Sequence, residues 1–140
     1  MTVNDARIIK FPIFKDKRGS LTFIEELKNI PFNISRIYYL FDIRKGASRG
    51  SHAHKLNEGL LISIVGEFKV EIDDGFQKKL FHLNKPNEGL YIPKMIWRNL
   101  FDFSDNALCL ALASHEYDEN EYIRDYDSFL NMVIKDQNLK

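Results

Sequence analysis

With 140 residues the chain has room for one domain with a buried core. Lys+Arg and Asp+Glu stand at 20 each, so the formal net charge is zero and the basic surplus of a general nucleic-acid binder is missing. No apolar run approaches the ~20 residues that cross a bilayer as a helix, and residues 1–7 lack the apolar core of a secretion signal. The expectation is therefore a cytoplasmic protein, a single domain over residues 1–140, with neither nucleic acid nor membrane as partner.

Taken in chain order, residues 20–26 and 35–42 are rich in β-branched and aromatic side chains, with Asn29-Ile30-Pro31 as a breaker between them. Residues 60–65 form a short apolar run suited to a buried strand. Phe68, Val70 and Ile72 then alternate with Lys69, Glu71 and Asp73, the period of a half-buried strand. Asp74-Gly75 signals a tight hairpin into residues 76–83. Segments 90–92, 96–103 and 108–113 complete the series. The lone Cys109 sits in the last of these; it cannot close an internal disulfide and reads as a small buried hydrophobe. From Asp118 the spacing of Tyr122, Tyr126, Phe129, Leu130, Val133 and Ile134 turns helical. The pattern predicts an all-β jelly roll or barrel capped by one or two short C-terminal helices.

Chemistry concentrates in residues 46–58, which hold two of the four histidines. On a strand, His52 and His54 lie two apart and share one face. Arg49 and Lys55 flank them, and Arg36 and Tyr38 share a face of their own strand by the same spacing. His82 reads as an outer-face strand residue, and His115 as a loop residue. The acidic run 116–121 reads as a helix start, where carboxylates suit the dipole.

The segment Gly46, five residues, His52-x-His54, three residues, Glu58 resembles the first motif of the cupin superfamily, with Gly66 one residue late. In metal-binding cupins the matching His, His and Glu hold the metal, joined by a His from a second motif. Here the second motif corresponds to Gly89 through Pro93 to Arg98, and Arg98 takes the place of that His. Arginine stays protonated and offers no lone pair. The resemblance therefore keeps the His pair as acid–base equipment and removes the metal cage; a metal-dependent cupin using His52, His54 and Glu58 is the alternative.

A narrower resemblance runs along nearly the whole chain. Asp16-Lys17-Arg18-Gly19-Ser20-Leu21, Ile30-Pro31-Phe32, Arg36-x-Tyr38-Tyr39, Arg49-Gly50-x-His52-Ala53-His54-Lys55, Gly89-Leu90-Tyr91-Ile92 and Tyr117-Asp118-Glu119 through Tyr126-Asp127 look like the dTDP-4-keto-6-deoxyglucose 3,4-ketoisomerases of the WxcM-like group. Gly59 departs from it, standing where the group carries Gln. The resemblance implies a keto-isomerase that takes a proton from C3 of a dTDP-linked 4-keto-6-deoxysugar and returns one to C4 through an enediolate. It implies no cofactor. His52 and His54 would be the catalytic pair, with Arg49, Lys55, Arg98, Arg18, Arg36 and Tyr38 binding substrate. Arg98 matches members that give the gluco product and Arg18 those that give the galacto product, leaving the C4 configuration open. A homodimer, with N-terminal strands exchanged between subunits, is also implied. A non-catalytic nucleotide-sugar binder and a 3,5-epimerase are the other readings.

Overall fold

The structure, a computed structural model, describes residues 1–139. Twelve strands and one helix follow in order: β1 (Arg7–Lys10), β2 (Ile13–Asp16), β3 (Gly19–Thr22), β4 (Arg36–Leu40), β5 (Arg49–His54), β6 (Gly59–Val65), β7 (Phe68–Asp73), β8 (Lys78–Leu83), β9 (Glu88–Ile92), β10 (Trp97–Phe101), β11 (Leu108–Ala113), β12 (Tyr122–Ile123) and α1 (Tyr126–Asn138). They form two five-stranded antiparallel sheets, β1-β9-β6-β11-β4 and β12-β5-β10-β7-β8, while β2 and β3 pair only with each other. The architecture is an all-β double-sheet jelly roll of the cupin type, without one continuous hydrogen-bonded cylinder.

Phe68, Val70 and Ile72 of β7 meet Leu61, Leu90, Ile92 and Cys109 of the first sheet in the central core. Burial also pushes the Cys109 thiol up to about 12, so it is packing and not a nucleophile. The unbroken apolar run of β6 has a second cause: Leu60 and Ile62 face outward but are covered by Phe11, Ile30 and Phe32. The expected strand at residues 20–26 stops at Thr22 for this reason. Beyond it the chain becomes a loop that lays Ile24, Ile30, Phe32 and Ile34 over the sheet, with Leu27 at φ 63° and the Glu26 carboxylate accepting from the Ile34 amide at 2.7 Å.

Asp74-Gly75 does turn the chain between β7 and β8. The Asp74 carboxylate accepts from the Phe76 and Gln77 amides and, through its other oxygen, from the Val3 amide at 2.9 Å. Residues 76 and 77 thus belong to the turn rather than to the strand. The C-terminal expectation of one or two helices resolves into a short 3-10 turn at Glu119–Glu121, the strand β12, and one helix. The Asp125 side chain caps α1, and Phe129 anchors it against Ala53, Trp97 and Ile123 on the outer face of the second sheet.

A bulge interrupts β5 against β10, between the pairs Arg98↔His52 and Asn99↔Gly50. Gly50 adopts φ 93°, and a Cβ there would lie 2.9 Å from the Arg98 carbonyl oxygen. Only glycine fits this approach, and the kink sets how the chain enters the His pair.

Replacing Phe129 with Ala should cost about 3–5 kcal/mol in urea unfolding, because the fully buried ring is what fastens α1. A loss below about 1 kcal/mol would show that the helix is not part of the cooperative core.

Candidate active site

His52 and His54 point inward from β5, while the intervening Ala53 packs against α1. Arg98 lies directly opposite His52 on β10, and Tyr122 opposite His54 on β12. The Tyr122 ring sits 5.1 and 4.4 Å, centre to centre, from the two imidazoles. Across the interior, β4 contributes Arg36 and Tyr38. These elements enclose a cleft of ≈ 420 Å³ lined by His52, Arg98, Tyr38, Arg49, Tyr122 and Arg124, among others. A groove of ≈ 440 Å³ beside it shares Leu40, Ser48 and Arg49 and adds Tyr39, Phe41 and Arg44.

The imidazoles form one row. His52 Nδ1 stands 3.1 Å from the Gly50 carbonyl oxygen, its Nε2 stands 3.2 Å from Nε2 of His54, and His54 Nδ1 stands 2.5 Å from Glu121 Oε1. The other Glu121 oxygen accepts from the Leu56 and Asn57 amides at 3.3 and 3.4 Å. Glu121 is 4% exposed and His54 fully buried. Burial first, and then the Arg98 guanidinium, holds His52 well below the ordinary imidazole value, at about 3. The same causes depress His54 further. Both rings are neutral at neutral pH.

Arg98 is itself buried. One Nη donates to the Ile96 carbonyl at 3.1 Å, while its Nε has no partner. Nε of Arg36 is likewise buried without a partner; its Nη2 donates to the Tyr122 hydroxyl at 3.3 Å, and its guanidinium lies over Tyr38. Arg124 stacks on Tyr122 at 4.4 Å and pairs with Glu119. Cations with free donors thus outnumber the carboxylates facing the cleft, so an anion is favoured there. A Cβ added at Gly59 would meet Arg98 Nη1 at 3.7 Å, an ordinary contact. Packing does not demand glycine at that position.

The fold brings together His52, His54, Arg36, Tyr38, Arg49 and Arg98. It does not bring Lys55, whose Nζ donates to the Asn120 carbonyl at 3.0 Å on the outside, because β5 ends at His54. Nor does it bring Arg18, which is exposed on the β2–β3 hairpin and paired with Asp16 at 2.7 Å. Glu58 hydrogen-bonds the Tyr91 hydroxyl, and Tyr91 belongs to the outer cluster, so the third ligand of a His-His-Glu cage is turned away. Among the described residues no other cluster of His, Cys, Asp and Glu has the makings of a metal site. His82 lies at the surface near Glu67, and His115 meets Ser114 in a loop.

On sequence alone Glu121, Tyr122 and Arg124 had no place in the site, only in the acidic run, the helical spacing and the family-like segment 117–127. The acidic run that looked like a helix start places Glu121 inside, on His54. The one available signal was general: a buried imidazole needs an orienting acceptor. Nothing in the spacing chooses that acceptor from 20 acidic residues.

Residues 4–134 match a family model described as FdtA: WxcM-like, C-terminal. The chain is 43% identical over 129 residues to TDP-4-oxo-6-deoxy-alpha-D-glucose-3,4-oxoisomerase of Aneurinibacillus thermoaerophilus, covering 92% of this chain and 93% of that one. It superimposes on a 3,4-ketoisomerase from Helicobacter canadensis with a TM-score of 0.90 at 49% identity, over 93% of this chain and 98% of the other. A His-to-Asn variant of the 3,4-ketoisomerase QdtA from Thermoanaerobacterium thermosaccharolyticum, in complex with TDP-4-keto-6-deoxyglucose, gives a TM-score of 0.90 at 40% identity, over 93% and 94% of the two chains.

Because the folded protein depresses both imidazoles, the unfolded chain binds protons that the native state refuses. Their contribution to stability is fully present above pH ~6.5 and is lost as the pH falls toward about 3. Urea unfolding between these limits should show falling stability, with a shallower fall in His52→Gln. Equal slopes for the two proteins would contradict the neutral burial of His52.

Proposed function

The chain belongs to the FdtA, WxcM-like C-terminal family, and on that premise we propose that it is a sugar 3,4-ketoisomerase converting dTDP-4-keto-6-deoxyglucose into the dTDP-3-keto-6-deoxyhexose. The observation that carries the proposal is the row of imidazoles ending on Glu121 at the wall of a cation-rich cleft. The reaction needs no external oxidant, since the substrate carries both the hydroxyl and the ketone. It needs a base for C3–H, a charge to hold the enediolate, and a site that grips the diphosphate.

His52 is the group of the pair that reaches the cleft, and being neutral it has a lone pair to offer. As the C3–H bond breaks, its electrons flow toward the C4 oxygen. A proton then enters C4 while the C3 hydroxyl loses its own, which completes the exchange. A carbon acid beside a ketone is far weaker than imidazolium, and each unit of mismatch costs about 1.4 kcal/mol. Arg98 acts on both partners: its charge weakens His52 as a base but stabilises the enediolate, in a buried site where donors need no reorganisation. His54 stands behind His52 and relays charge to Glu121. Arg49 and Arg124 suit the diphosphate, Arg36 stands behind them over Tyr38, and the adjoining groove with Tyr39, Phe41 and Arg44 offers room for the nucleoside.

We further propose a homodimer with exchanged N-terminal strands. Every residue of β2 and β3 is exposed in the isolated chain, including Ile13, Phe14 and Leu21. Edge strand β4 likewise exposes Ile37 and Tyr39, with Phe41 just beyond it.

Incubation with dTDP-4-keto-6-deoxyglucose should yield the 3-keto isomer by NMR, which also reads the C4 configuration. Turnover should persist after chelation, and His52→Asn and His54→Asn should each lose at least ~10²-fold. Wild-type turnover in both variants would remove the pair from the chemistry, and a chelation-sensitive rate would favour the metal-dependent alternative. In sedimentation the protein should run as a dimer, and Phe14→Lys with Leu21→Lys should shift it to monomer; a wild-type monomer contradicts the exchange.

A further inference from the structure

We infer that Ser51 and Asn99 are positioning residues for His52: an exposed hydrogen bond between their side chains holds the bulge that aims the imidazole into the cleft. What that aim is worth in turnover rests on the ketoisomerase reading; the clip itself does not.

The register defines the bulge. His52 pairs with Arg98 and Gly50 with Asn99, so Ser51 is the extra residue, with no partner on β10. Gly50 and Ser51 take φ of 93° and 56°, two left-handed residues in a row directly before the imidazole. Glycine enters that region freely. Serine does not, because its Cβ comes too near the following carbonyl oxygen, and it stays there only where something holds it.

What holds it is Asn99. The Ser51 hydroxyl donates to the Asn99 side-chain oxygen at 2.8 Å. Asn99 is a firm anchor, since its backbone pairs with Gly50 on one side and with Glu71 of β7 on the other. It also follows Arg98 directly. The clip therefore ties the strand that carries the imidazole to the strand that carries the guanidinium.

The effect reaches the ring through the peptide between residues 50 and 51. The φ of Ser51 sets how that peptide is turned, and its carbonyl oxygen stands 3.1 Å from Nδ1 of His52. Were Ser51 to relax to an ordinary negative φ, that oxygen would swing off the ring. The imidazole would then keep Nε2 of His54, at 3.2 Å, but lose the contact that fixes its opposite edge. Gly50 cannot absorb the change, because its Cα already sits against the Arg98 carbonyl.

Imidazole ¹⁵N NMR of the resting protein and steady-state kinetics test the pair together. Asn99→Ala and Ser51→Ala break the clip from either end; each should shift the His52 ring signals and lower kcat roughly 10-fold with KM little changed. Asn99→Asp keeps an acceptor and should match the wild type. The decisive variant adds Ser51→Gly to Asn99→Ala: glycine holds φ 56° unaided, so the rate and the wild-type ring signals should largely return although both side chains are gone. A merely structural contact would leave that double variant no better than Asn99→Ala. Unmoved ring signals in Asn99→Ala, a loss that Ser51→Gly does not relieve, or an equal loss in Asn99→Asp would each overturn the inference. If the wild type fails to turn over the sugar, the ketoisomerase reading falls and the ring signals alone decide the clip.

Discussion

The contact between the Glu121 carboxylate and Nδ1 of His54 orders everything around it. Burying a carboxylate costs several kcal/mol unless donors surround it. Here the donors are one imidazole and two backbone amides, supplied by the end of β5 and the loop after it. The carboxylate reaches them only because the chain turns at Glu119–Glu121 and pairs β12 with β5, Tyr122 lying against His54. Phe129 of α1 then clamps that pairing from outside. The C-terminal tail is thus part of the site, not a cap placed over it.

Opposite this negative charge stands Arg98, buried with one nitrogen unsatisfied. A lone buried cation is expensive, and the proposed sugar nucleotide would supply the missing acceptor. Arg36, with its own unpartnered Nε, repeats the signal across the interior. Neutral imidazoles between these cations and Glu121 can give and take protons without adding a further charge to a dry site. An anionic sugar nucleotide, passing through an enediolate, complements that arrangement at both of its charged parts.

Much of this was legible where it was local. Phe68, Val70 and Ile72 announced β7 because one face of it is buried and the other is wet, and His52-x-His54 announced a shared face for the same geometric reason. The failures lie where long-range packing overrules the local pattern. Strands β1 and β2 are short and carry no alternation, and β2 is wholly exposed, so nothing set them apart from loop. Residues 23–26 look like the end of a strand but open the loop that covers Leu60 and Ile62. Glu121 is 67 residues from His54 in the chain, and only the folded sheet brings the two together. The bulge at Gly50 was equally silent, since a glycine near the start of a strand has many innocent readings.

The most direct test is the position of the sugar in a crystal of the His52→Asn variant with dTDP-4-keto-6-deoxyglucose bound. The account predicts sugar C3 within about 3.5 Å of the residue 52 side chain, with the C4 oxygen turned to Arg98 and the diphosphate among the arginines at the mouth. A sugar seated with C3 facing away from position 52, or outside the cleft altogether, would contradict it.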